Sequence, residues 1–286
     1  MKKIMLATAS VASAVLLLAG CASSSDSNEA KPKPAANENA PEGLVKEGSL
    51  TVCIDPEYPP LEYYADGSGG DIVGFDADSV RALADHWGLE ANFEVTSFDG
   101  LMPGVQSGKC DMIFGGLYES AERAEIADSV TIMAAGPAVL AAPESADKIS
   151  DGMSLCGMRV VSQAASSNSM SVQKLSEECE AAGKSAITHT EYPKTAETVL
   201  AVINGKADAL VETNVAASYM ATQNEGQLEM VNTVFDPDTT FGAFTKPGST
   251  LIDPLTEALN ALQEDGTLAK IAAEYNLDES ILDVTR

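Results

Sequence analysis

Basic residues are scarce in this 286-residue chain, where 17 Lys and Arg face 43 Asp and Glu for a formal net charge of −26. Nucleic-acid binding needs clustered Lys and Arg to neutralise phosphates, so that class is excluded. The acidic excess keeps a protein soluble and weakly favours cationic ligands, although a solvated acidic surface explains it equally well. Two histidines, His86 and His189, and the lack of any Cys-x-x-Cys spacing leave no metal-ligand pattern. Each histidine reads as a surface or packing residue. No nucleophile–base pair or phosphate-binding loop is visible, and no cofactor is expected. Nor does any run reach the ~18 apolar residues that a membrane-spanning helix needs.

A shorter apolar run opens the chain. Lys2 and Lys3 precede a mostly apolar stretch from Ile4 to Ala19, the pattern of an export signal. Leu18-Ala19-Gly20-Cys21 resembles the bacterial lipobox, which implies a signal peptide over 1–20, cleavage after Gly20 and lipid on Cys21. One acyl chain anchors only marginally, so the resemblance to lipoproteins implies several. Residues 21–47, with Ser23-Ser24-Ser25 and Lys31-Pro32-Lys33-Pro34, hold too little apolar surface to fold and read as a disordered tether. Cys53, Cys110, Cys156 and Cys179 remain, and four cysteines allow three pairings.

The remaining ~240 residues suffice for two modest lobes or one large domain. Leu50–Ile54 reads as a strand ending in an Asp55-Pro56 turn. Val80, Leu83, Ala84 and Trp87 mark one face of a helix from Asp78 that Gly88 stops. Phe93–Val95, a short helix over 100–107 and a strand Met112–Phe114 running into a Gly115-Gly116 turn follow. After Ala142-Pro143 the pattern restarts. Strands at Met158–Val161, Ala209–Val211 and Phe241–Thr245 alternate with helices, and two helices close the chain. This alternation predicts an α/β fold with a mainly parallel sheet.

Several segments in order resemble the family 3 extracellular solute-binding proteins, the polar amino-acid receptors of ABC importers. They are Asp55-Pro56-Glu57-Tyr58-Pro59-Pro60-Leu61-Glu62, Gly74-Phe75-Asp76-Ala77-Asp78, Phe98-Asp99-Gly100-Leu101-Met102-Pro103 and Gly108-Lys109-Cys110-Asp111. Glu122-Arg123, Gly205-Lys206-Ala207-Asp208-Ala209 and Asp265-Gly266-Thr267-Leu268-Ala269-Lys270-Ile271 complete the set. The resemblance implies a two-lobed, type II periplasmic-binding-protein fold with two hinge crossings and a ligand cleft between the lobes. Lobe one would span 48–138 plus 234–286, and lobe two 139–233. Each lobe would then hold one cysteine pair, Cys53–Cys110 and Cys156–Cys179. The same resemblance implies an exported monomer, anchored by lipid to the outer face of the cell membrane or on its periplasmic side. Its partners would be a small ligand and an ABC permease.

The resemblance also assigns a site. Arg123 matches the arginine that grips a ligand carboxylate, a task suited to its planar, bidentate fork. Helix-surface pairing with Glu119 or Glu122 is its alternative. Gly116 and Tyr118 lie where family members contact ligand; Tyr118 is larger than the usual Ser or Thr. Tyr58 and Phe98 match aromatic walls, with core packing as the alternative. Asp55 matches a position that can reach a cationic side chain. Ser166 and Ser167, in Ala164-Ala165-Ser166-Ser167, stand where a Gly-Thr or Gly-Ser turn presents donors at a helix start; helix capping alone explains them equally well. Thr213 departs from the pattern, because many relatives have there an aspartate for the ligand's ammonium. Either Glu212 takes that ammonium or the ligand lacks one in that place. A dehydratase resembling cyclohexadienyl dehydratase, with Glu119 or Glu212 as its acid, is the alternative on the same scaffold, and a non-transport sensor is a third.

Overall fold

The computed structural model describes residues 37, 39–235 and 239–286; the signal segment, Cys21 and the tether as far as residue 36 lie outside them. From the first described residues the chain builds β1 (Ser49–Ile54), a small meander of β2 (Glu57–Tyr58), β3 (Glu62–Tyr64) and β4 (Ile72–Val73), then α1 (Phe75–Trp87). β5 (Glu90–Val95), α2 (Leu101–Gln106), β6 (Met112–Tyr118), the single turn α3 (Ala121–Ala124) and β7 (Asp128–Ala135) follow. Through Gly136 the chain enters β8 (Pro137–Ala141), α4 (Pro143–Ala146), β9 (Arg159–Gln163), α5 (Ser167–Ala181) and β10 (Thr188–Tyr192). Next come α6 (Thr195–Ile203), β11 (Ala209–Thr213), α7 (Asn214–Gln223) and β12 (Glu229–Val231). β13 (Thr239–Thr245), α8 (Ile252–Glu264) and α9 (Thr267–Glu274) complete the order.

Two five-stranded sheets result, ordered β5-β1-β6-β13-β7 and β10-β9-β11-β8-β12. In each, four strands share one direction and one, β13 or β8, runs against them, so two of the four pairings are parallel and two antiparallel. The sheets are therefore mixed, with most strands parallel as expected. The reversed strands, β8 and β13, are the ones the chain enters on passing from one sheet to the other, and such strands need no crossover helix. Two separate sheets agree with the two lobes that the resemblance implies.

Packing explains which residues form these elements. Every residue of β1 is buried, because α1 covers one face and α2 the other. α1 begins at Phe75, three residues before the periodicity suggests, since the buried Phe75 and Ala77 extend its apolar stripe. β6 continues through Gly115 and Gly116 to Tyr118 instead of turning there. Gly115 leaves room for Glu62, because an added Cβ would meet both of its carboxylate oxygens and displace that buried side chain. The tether is shorter than expected at its folded end. Asn37 donates through Nδ2 to the His86 carbonyl at 2.6 Å, and Ala40 and Leu44 pack on the first core. Few apolar groups suffice when a finished core receives them.

The first crossing is pinned from both sides. Gly136 N–H donates to Asn214 Oδ1 at 3.1 Å, and Asn214 N–H returns a bond to Gly136 O at 2.7 Å. Each cysteine pair is bonded within one sheet's surroundings: Cys53–Cys110 with Cα atoms 5.5 Å apart, Cys156–Cys179 with Cα atoms 5.6 Å apart. The second bridge ties the start of β9 to the end of α5 across 23 residues. Converting both Cys156 and Cys179 to Ala should cost about 3 kcal/mol on the chain-entropy model. Urea unfolding of the variant against the parent checks this; an unchanged midpoint would show that the bridge adds no stability.

Candidate functional site

The C-terminal ends of the parallel strands of both sheets face one cleft, where open α/β sheets place their ligands. The turn after β1 supplies Asp55 and Tyr58; the end of β6 supplies Gly116 and Tyr118. The end of β9 supplies Gln163 and the end of β11 supplies Glu212 and Thr213. Three adjoining spaces fill the cleft. The outermost, about 390 Å³, is lined by Asp55, Glu57, Phe98, Asp99, Ala165 and Lys194 among others. A chamber of about 10 Å³ follows, bordered by Asp55, Tyr58, Glu62, Gly115, Gln163 and Thr195. The innermost, about 20 Å³, is enclosed by Tyr58, Phe98, Gly116, Tyr118, Arg123, Gln163, Ser166, Ser167, Asn168, Glu212 and Thr213. Nine of the ten residues assigned from sequence thus border that last chamber, and Asp55 borders the other two. Chambers this small hold at most a water molecule, so an amino acid can reach the inner pair only when the walls part.

Arg123 sits half-buried in α3. Its Nη1 donates to Tyr118 O at 2.9 Å, and its guanidinium lies 6.0 Å from the Phe244 ring centroid. Among the described residues no carboxylate comes within 4.0 Å of it. Pairing with Glu119 or Glu122 is thereby ruled out in this structure. Burial pushes the guanidinium down to about 10, against the attraction of Glu122 and Tyr118. A weakly compensated cation at the base of a cleft suits an incoming carboxylate.

Glu212 is 2 % exposed on the opposite wall. Its Oε1 accepts from Tyr58 Oη at 2.8 Å, Asn168 Nδ2 at 3.2 Å and Thr213 N at 2.7 Å, while Oε2 receives a 3.5 Å contact from Thr195 Oγ1. Burial raises its carboxyl to about 6, and these bonds hold it from going higher. Tyr58 reaches across the cleft and lies 2.6 Å from Thr213 Oγ1 as well. Thr213 is otherwise occupied in capping α7 through Ala216 N–H at 3.3 Å. Gly116 makes room for this crossing, because a Cβ there would meet Tyr58 Cε1 at 2.6 Å. Phe98 borders all three spaces.

The two serines divide. Ser166 Oγ donates to Gln163 O at 2.6 Å and accepts from Ser169 N at 3.0 Å, so it is committed to capping α5. Ser167 Oγ is buried without a hydrogen-bond partner among the described residues, as are Tyr118 Oη, Asn168 Oδ1 and Glu62 Oε2. All four belong to residues bordering the inner chambers, and buried polar atoms without partners suit a polar ligand. Glu119, named from sequence as a possible acid, lies elsewhere. It accepts from Ser129 Oγ at 2.6 Å, Thr131 Oγ1 at 2.8 Å and Thr240 Oγ1 at 2.7 Å, pinning β7 to β13. His189 bonds Ser162 through Nε2 at 2.8 Å, with no part in the cleft.

Gln163, Asn168, Thr195, Glu62 and the pair Lys194–Glu57, whose Nζ and Oε1 are 2.5 Å apart, were not singled out from sequence. Apart from Glu57 and Glu62, all stand at strand ends or helix starts on the cleft side, the one signal that could have marked them.

A model of the bacterial extracellular solute-binding proteins, family 3, matches residues 50–278. An arginine-binding protein of Corynebacterium glutamicum is 31 % identical over 253 residues, covering 88 % of this chain and 82 % of its own. An L-cystine-binding protein of Bacillus subtilis is 25 % identical over 284 residues, covering 96 % and 97 %. Among solved structures, an ancestral arginine-binding protein bound to arginine superposes with a TM-score of 0.71 at 27 % identity, covering 80 % of this chain and 98 % of its own. An ancestral amino acid-binding protein described as a precursor of cyclohexadienyl dehydratase gives 0.71 at 25 %, covering 80 % and 95 %.

Ala165, just before α5, has φ +60. A Cβ in the left-handed region costs roughly 1–2 kcal/mol, partly offset by the greater unfolded-state freedom of glycine. Ala165→Gly should therefore raise stability by about 0.5–1 kcal/mol, read as a higher urea midpoint. A lower midpoint would show that the strain is relieved elsewhere.

Proposed function

The chain belongs to the bacterial extracellular solute-binding proteins, family 3, and from that premise we propose that it captures an amino acid with a cationic side chain and delivers it to an ABC permease. The observation that carries this reading is the polarity of the cleft along its length. Arg123 lies at one end, Glu212 faces the same chamber from the opposite wall, and Asp55, Glu57, Glu62 and Asp99 gather at the other end. An α-carboxylate on the Arg123 fork places the α-ammonium toward Glu212, whose Oε2 has a single long contact. The side chain then runs between Tyr58 and Phe98 toward the acidic end. The arginine-binding relatives support a cationic side chain.

Capture needs no covalent step. The ligand enters as the lobes part, Arg123 takes its carboxylate, and hinge closure brings Glu212, Ser167 and Asn168 onto it. Lys194 and Glu57 pair across the cleft mouth and close it behind the ligand. The closed pair of lobes then presents one surface to the permease. Export through the segment 1–20, lipid on Cys21 and action as a monomer belong to this proposal. A lipid tether would keep the receptor near its permease while leaving it free to turn.

A second reading uses the same cleft. Glu212, a buried carboxyl raised to about 6, is the kind of group an acid catalyst needs, and one structural relative is a dehydratase precursor. Turnover of prephenate or arogenate would favour it over binding alone.

A thermal-shift screen across amino acids tests the main reading, since stabilisation grows with ligand concentration over Kd. L-arginine or L-lysine should give the largest shift; preference for a neutral or acidic amino acid would sink the cationic assignment. In calorimetry Arg123→Ala should lose roughly 2–5 kcal/mol, on the order of 30- to several-thousand-fold in affinity. Glu212→Gln should weaken the same ligand strongly, and undiminished binding would show that no ammonium meets Glu212.

A further inference from the structure

Two neighbouring residues of one short strand reach across the cleft. β2 is held on its own side by pairing with β3, Glu57 against Tyr63 and Tyr58 against Glu62, and Leu61 N–H donates to Tyr58 O at 3.0 Å. Successive strand residues point to opposite faces, so the two side chains leave in different directions. Tyr58 goes inward over Gly116, with its hydroxyl 2.8 Å from Glu212 Oε1 and 2.6 Å from Thr213 Oγ1. It also packs against the apolar cores on both sides of the cleft. Glu57 goes to the mouth, where its Oε1 accepts from Lys194 Nζ at 2.5 Å, just before α6 begins.

The two contacts differ in kind. The Tyr58 hydroxyl meets a carboxylate that is 2 % exposed, at the edge of the innermost chamber. A hydrogen bond to a charged group in such a place is among the stronger ones. The side chains of Lys194 and Glu57 are 55 % and 40 % exposed, so their pair is weak and salt screens it. Lys194 borders the outer space and neither inner chamber, whereas Arg123 borders the innermost one. Both contacts form when the walls come together, and both end when the walls part.

We propose that Glu57 and Tyr58 form a closure latch that sets how long a captured ligand stays. Tyr58 is its strong inner contact, and the Glu57–Lys194 pair is an outer one that yields to salt. This deepens the capture reading, on which it rests, and holds whichever amino acid is captured. Glu57 and Lys194 are positioning residues, slowing release by keeping the walls together. The geometry also fixes a sign. If Lys194 acted on a cationic ligand through its charge alone, removing it would slow release, because a repulsion would be gone. As half of a latch, its removal speeds release. Variants of Glu57 and Lys194 therefore change the dissociation rate in the same direction, although they change the charge of the mouth in opposite directions.

The dissociation rate of labelled L-arginine from the intact folded protein, chased with unlabelled ligand, reads the latch directly. If L-arginine gives no thermal shift, the amino acid with the largest shift takes its place. Glu57→Gln and Lys194→Gln should each speed dissociation about two- to fivefold, and the double variant no more than either alone. Glu57→Lys combined with Lys194→Glu should restore most of the slow rate. Tyr58→Phe keeps the ring and should speed dissociation by about tenfold or more, with a smaller change in association. Added salt should speed release from the parent more than from Glu57→Gln. Opposite effects of Glu57→Gln and Lys194→Gln would overturn the outer contact and make the pair a charge at the mouth. Unchanged dissociation in Tyr58→Phe would overturn the inner one. Should no amino acid bind, the capture reading falls and the latch with it. The Glu57 and Lys194 variants, changed at exposed side chains, decide the sign even if Tyr58→Phe does not fold.

Discussion

The Tyr58 hydroxyl lies between Glu212 and Thr213, joining one sheet's turn to the end of a strand in the other. Much of the site depends on that crossing. It sets how near the walls come, because Gly116 has to be a glycine for the tyrosine ring to lie over it. It also holds Glu212 ionisable in a buried place, since an uncompensated carboxylate there would be driven further toward its neutral form. The same hydroxyl gives the lobes a polar meeting point that water or a ligand can take over. Hydrogen bonds exchanged for others cost little net, which suits a hinge that has to open as well as close.

The rest of the architecture keeps that meeting point in register. Asn214 and Gly136 bond each other at the first crossing, one residue after Thr213. Glu119 gathers hydroxyls from β7 and β13, the strands that lead to and from the crossings. A carboxylate serving as a strand clamp near the hinge and another serving the cleft are alike in sequence. Their hydrogen-bond partners separate them.

Charge is arranged in the same economical way. The chain has four arginines, and one of them stands in the cleft with no carboxylate within 4.0 Å among the described residues. Acidic groups gather at the opposite end, where burial raises the Glu62 and Asp76 carboxyls above their ordinary range. A surface rich in carboxylates would show no such effect, since exposed groups at these spacings are screened by water and salt.

How much of this was legible in sequence follows from range. Strand cores such as Leu50–Ile54 and the α1 stripe were readable because alternation and helical period are local properties of neighbouring residues. The motif order carried the lobed fold, Arg123, and the walls at Tyr58 and Phe98. The antiparallel strands β7 and β8 were not read, since their pairing depends on residues far along the chain. Ser166 and Ser167 are neighbours that sequence treated alike, yet one caps a helix and the other faces the chamber. Glu62 stood inside a motif without a role, because nothing near it in the chain reveals that it is buried as Asp76 of α1 is. Sequence alone therefore determined the scaffold and the residue types available to it. Tertiary structure decided which carboxylate clamps strands, which meets the Tyr58 hydroxyl across the cleft and which is buried in its wall, because burial and charge proximity exist only after distant segments meet.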